Sequence, residues 1–66
     1  MPRKIRELEA DLAKAGFSRQ PGKGSHRKWA HPTGAKVTMS GQPGDDAKRY
    51  QEDAVREAIK RAQLGH

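Results

Sequence analysis

The chain has 66 residues, a formal charge of +6 and no cysteine. It is therefore read as one small domain, 1–66, without disulfides or thiolate metal sites. Its apolar content leans on nine alanines, and the few bulky residues can seal one sheet under a helix or two but can hardly enclose a deep pocket as well. A polymer bound on an open face is easier to house than a buried metabolite.

The placement of charge tells more than its sum. Between Leu12 and Gly44 there is no Asp or Glu, whereas Lys14, Arg19, Lys23, Arg27, Lys28 and Lys36 all fall there. The remaining eight cations balance the eight acids, so the whole excess sits in the centre of the chain. Evenly scattered charge would read as a solubility surface; segregation points to a polyanionic partner. The first eight residues place charges every one to three positions and offer no apolar run, so neither export nor membrane insertion is predicted and a cytoplasmic location is expected.

Ile5, Leu8, Leu12 and Ala15 recur at steps of three, four and three, which predicts an amphipathic helix over 3–15. Gly16 ends it as a left-handed cap, and Lys14 complements the negative end of the helix dipole. Phe17 to Gln20 is a short extended segment stopped by Pro21, and the loop Gly22-Lys23-Gly24 carries the chain back. Ser25 to His31 alternates loosely as a second strand before Pro32-Thr33-Gly34 turns it again. Ala35 to Ser40 is the clearest strand, with Val37 and Met39 on one face and Lys36, Thr38 and Ser40 on the other. After the loop Gly41-Gln42-Pro43-Gly44, Asp45 or Asp46 is the expected cap of a second helix. Its apolar positions are Ala47, Tyr50, Ala54, Val55, Ala58, Ile59 and Ala62, and Gly65 marks its end. Short connections favour an antiparallel meander. The expected fold is α+β: helix, three strands, helix, with both helices on one face of a three-stranded antiparallel sheet and the other face open.

Strict alternation in the second strand turns Trp29 inward, with Ser25, Arg27 and His31 on the same side. His26, Lys28 and Ala30 then share the open face with Lys36 and Thr38. An imidazole exchanges a proton near neutral pH, and cations beside it hold an anionic substrate, so His26 is the candidate catalytic residue. Lys23, Gly24, Ser25, Arg27, Lys28 and Lys36 are the candidate polyanion-binding set, since glycine and serine can present N–H and hydroxyl groups to phosphate. A plain turn and a solvated surface histidine are the bland alternatives. Glycine and lysine spacing excludes a P-loop or dinucleotide fingerprint. No metal site is expected from His26 and His31, because the acid-free centre supplies no further ligand.

Gly16-Phe17 after the first helix, Gly24-Ser25-His26 opening the second strand, Trp29 three residues on, His31-Pro32, Gly34 and Val37 together resemble the HicA (YcfA-like) toxins of bacterial type II toxin-antitoxin systems. The likeness covers nearly the full chain. It implies a double-stranded-RNA-binding-domain-like α-β-β-β-α fold and cleavage of mRNA without a metal or other cofactor. It also implies that His26 is catalytic, that Gly24 and Ser25 shape its loop, that Trp29 belongs to the core, and that a HicB-like antitoxin covers the site. A non-enzymatic RNA-binding module of the same fold is the alternative, and it needs only the basic face.

Overall fold

Helix, three strands, helix is the order found in a computed structural model, which describes residues 3–21 and 26–64. The elements are α1 (Ile5–Lys14), β1 (Ser18–Gln20), β2 (Arg27–Ala30), β3 (Lys36–Met39) and α2 (Arg49–Leu64). The Gly22-Lys23-Gly24 loop with Ser25, and the Gly65 stop, lie outside the described residues.

The apolar stripe of α1 is buried as its period demands, with Ile5, Leu8 and Leu12 all withdrawn from solvent. Gly16 closes the helix with φ +97°. Its N–H donates to Ala13 O at 3.1 Å and that of Phe17 donates to Leu12 O at 3.0 Å, the paired bonds of a Schellman cap. Phe17 is itself buried beside that last turn, which starts the chain back under the helix.

The sheet runs β1-β2-β3, antiparallel throughout. Arg19 pairs with Trp29 and Trp29 with Val37; one step on, Gln20 pairs with Lys28 and Lys28 with Thr38. Trp29, Val37 and Met39 face the helices and join Ile5, Leu8, Leu12, Phe17, Ala47, Val55, Ala58 and Ala62 in one core. Among the described residues the opposite face carries no helix, as the alternation requires.

The loop before α2 departs from expectation. Asp45 and Asp46 do not cap that helix, which begins only at Arg49. Asp46 instead pairs as an isolated antiparallel bridge with Lys4, reinforced by a 2.6 Å ion pair. The carbonyls of Asp45 and Pro43 accept the N–H groups of Ile5 and Arg6 at 3.0 and 2.9 Å. The loop thus satisfies donors that the first turn of α1 would otherwise leave open. The start of α2 is satisfied locally, with Lys48 N–H donating to Gln51 Oε1 at 2.8 Å.

Gln51 is 5% exposed, and its Nε2 donates to Ser40 O at 3.1 Å, tying α2 to the end of β3. Tyr50, expected on the apolar face, is 62% exposed instead. The buried row of α2 runs Gln51, Val55, Ala58, Ala62, and Tyr50 and Ala54 fall beside it.

A Cβ on Gly16 would stand 3.0 Å from His31 Nε2, in a backbone region where side chains are already strained. Gly16→Ala should therefore lower stability by about 1–2 kcal/mol, measured as a shift of the urea midpoint at unchanged slope.

Candidate nucleic-acid interface

The open face is built by parity. Lys28 and Ala30 of β2, Lys36 and Thr38 of β3, and Gln20 of β1 alternate with inward neighbours, and they surround a shallow depression of about 320 Å³. Lys28, Lys36 and Thr38 are exposed. Lys28 stands opposite Thr38 and Ala30 opposite Lys36, so the two lysines are diagonal neighbours across adjacent strands. Gln20 and Thr38 flank Lys28 on either side in one cross-strand row, and each adds a hydrogen-bonding group. Neither was singled out as a site residue from the sequence. Their signal was available in the alternation, but it needed the register to show which residues stand beside Lys28.

His26 precedes β2 by one residue and is exposed. Carrying the alternation back by one position puts it on the side of Lys28. It makes no hydrogen bond or ion pair with another described residue. Lys23, Gly24 and Ser25 lie outside the described residues.

Arg27 stands where strict alternation expects it, apart from the other cations counted as candidates with it. It sits on the helix side of the sheet, where Nε donates to Glu9 Oε2 of α1 at 2.6 Å and Nη2 donates to Gly41 O at 3.0 Å. Its side chain is 11% exposed and that of Glu9 13%. The same Glu9 oxygen accepts Trp29 Nε1–H at 3.1 Å. Arg27 is thus held by protein groups and does not share the surface of Lys28 and Lys36. The physical reason is strand parity: the residue next to an outward histidine points inward, and a carboxylate one layer below satisfies its charge.

The acids follow the helix layer. Glu7, Glu9 and Asp11 lie on α1, Asp45 and Asp46 on the loop before α2, and Glu52, Asp53 and Glu57 on or near α2's first turns. Their partners are mostly cations of the same layer, in the pairs Arg3–Asp11 at 2.7 Å, Lys4–Asp46 and Arg49–Asp53. Lys28 and Lys36 form no ion pair with a described residue. Among the described residues, an acid-free stretch of sequence has become an acid-free sheet face.

His31 belongs to the scaffold. Thr33 N–H donates to its Nδ1 at 3.1 Å, so that nitrogen is unprotonated and Nε2–H donates to Ala15 O at 3.1 Å. Its ring packs on Phe17 with centroids 5.1 Å apart. Both ring nitrogens are engaged in tying the turn after β2 to the end of α1. Among the described residues no three His, Asp or Glu side chains gather where a metal ion could be held. Among them, too, no helix is long and apolar enough to cross a membrane.

These features define a small α+β domain with a half-covered sheet and a basic open face that carries no acid among the described residues. A family model for the HicA toxin of bacterial toxin-antitoxin systems matches residues 5–64, and the chain belongs to that family. It is thus the toxin component of a toxin-antitoxin pair, and an antitoxin partner follows from that membership. Among curated protein sequences none matches the chain.

Replacing Arg27 by Met should cost about 2 kcal/mol, between the values for exposed and buried pairs, because Glu9 would be left mostly buried without its cation. Lys36→Met should change stability by less than about 0.5 kcal/mol. Thermal melts of the two variants beside the parent give the comparison.

Proposed function

We propose that this HicA-family toxin is an RNA endonuclease, an mRNA interferase, with His26 as its general base. The observation that carries the reading is the exposed imidazole at the start of β2, beside a sheet face whose cations have no acidic partner among the described residues.

In this mechanism His26 takes the proton of a ribose 2′-OH, and the oxygen attacks the adjacent phosphorus. The P–O5′ bond breaks, leaving a 2′,3′-cyclic phosphate and a 5′-hydroxyl that receives its proton from the imidazolium or from water. Lys28 stabilises the charge that develops on the phosphorane oxygens. Lys36 holds the neighbouring RNA backbone, and Lys23, Gly24 and Ser25 complete the binding loop. No step uses a metal or an organic cofactor. The setting is the cytoplasm, the substrate is mRNA, and a HicB-like antitoxin silences the protein by covering this face. Arg27 takes no direct part, since its guanidinium lies on the other side of the sheet.

His26→Ala should lower cleavage by about 10²–10⁴-fold, the usual contribution of general base catalysis, with the fold retained by circular dichroism. The assay is incubation with RNA in EDTA, followed by analysis for cyclic-phosphate ends. A His26→Ala protein as active as the parent sinks the assignment. Binding without cleavage by the parent identifies a non-enzymatic RNA-binding module instead.

Lys28→Ala and Lys36→Ala should each reduce the slope of log K against log salt for single-stranded RNA by about 0.7, one phosphate contact apiece. Fluorescence anisotropy between low and moderate salt measures it. An unchanged slope in both variants would remove the open face as the RNA-binding surface.

A further inference from the structure

We propose that Glu9 is a positioning residue for His26, acting through Arg27. This inference rests on the nuclease reading and adds to it a carboxylate on the opposite side of the sheet.

One oxygen of Glu9 holds two alternate residues of β2, accepting Arg27 Nε–H at 2.6 Å and Trp29 Nε1–H at 3.1 Å. Arg27 then reaches a third element by donating to Gly41 O at 3.0 Å. Gly41 is fixed in turn. Its φ is +92°, and a Cβ built on it would stand 3.0 Å from Ile5 Cδ1, so its backbone lies against the first turn of α1. Arg27 pairs in the sheet with Met39, which is fully buried, and this is the last rung of the ladder before His26. Downstream of His26, the covalent path into the folded body therefore runs first through a residue whose backbone and side chain are both held.

The arrangement does more than add a contact. The guanidinium is drawn inward, so residue 27 has its side chain fixed on the helix side, and alternation assigns residue 26 to the other. An ion pair at 11% and 13% exposure is screened far less than a surface pair and is directional, because Nε and Nη2 are fixed in one plane. Without the carboxylate, the guanidinium keeps its bond to Gly41 O but loses its charged partner on α1, and the position of the imidazole relaxes. A displacement of about 1 Å at a reacting group costs on the order of 10²-fold in rate.

The test uses the full chain with Glu9→Gln, which keeps an acceptor but removes the charge, and Arg27→Lys, which keeps the charge but not the fork. Arg27→Lys carries the test if Glu9→Gln does not fold at the assay temperature. Asp11→Asn, which removes the exposed Arg3–Asp11 pair, is the control. In the folded variants kcat should fall by about 10- to 100-fold with KM within about twofold, the pattern of an interaction felt in the transition state, while Asp11→Asn stays at the parent's values. A second readout is independent of catalysis. The amide order parameter of His26, by ¹⁵N relaxation, should drop from about 0.85 toward about 0.6 in Glu9→Gln and Arg27→Lys and not in Asp11→Asn. An unchanged order parameter in both variants overturns the proposal, as does a drop shared by the control. If His26→Ala is as active as the parent, the nuclease reading fails, and the order parameter alone decides whether Glu9 fixes residue 26.

Discussion

Everything in this molecule is arranged around the fact that a strand offers its two faces alternately and that only one of them is covered here. β2 has four residues, and its two inward side chains, Arg27 and Trp29, meet α1 at a single carboxylate oxygen of Glu9. Its two outward ones, Lys28 and Ala30, meet solvent over the open face. A slip of one residue would bury Lys28 without a partner and expose Trp29, so the register is held by a large penalty on both sides. In so small a core the central strand therefore does two jobs at once. It seals the helix layer and sets which residues are presented to a ligand.

Where the determinant was local, it was legible. The three-four-three spacing of Ile5, Leu8, Leu12 and Ala15 contains the helix, and Gly16 followed by Phe17 contains its cap, because those bonds close within five residues. The alternation around Val37 and Met39 likewise needed no knowledge of anything distant. The placement of Lys28, Lys36 and Thr38 on one face followed from the same rule.

What escaped was set by partners far along the chain. Asp45 and Asp46 have the composition of a helix cap, yet Asp46 pairs with Lys4, 42 residues away, and Asp45 supplies its carbonyl to α1. A local preference for capping yields to a contact that completes the start of another helix. Tyr50 and Ala54 keep an apolar spacing of four, but the buried row of α2 is Gln51, Val55, Ala58 and Ala62; Gln51 is inward, and the amide is tolerated because Ser40 O and Lys48 N–H satisfy it. Alternation turns Arg27 inward, but no spacing rule announces that a glutamate 18 residues earlier will take it.

Removing Arg27 from the basic set changes the chemistry expected of the face. Two described lysines remain on it, Lys28 and Lys36, with the polar side chains of Gln20 and Thr38 and the small Ala30 between them. The aromatic residues are elsewhere: Phe17 and Trp29 are in the core and Tyr50 is on α2. Among the described residues such a surface has charges and hydrogen-bonding groups for phosphate and ribose but, apart from the His26 ring, no aromatic side chain on which a base could stack, and stacking is where single-strand binders gain much of their hold on bases. RNA lying there, as proposed, is held by its backbone. Affinity is then mostly electrostatic and falls with salt. On that proposal, discrimination among sequences comes from how readily a given stretch lets its ribose approach His26.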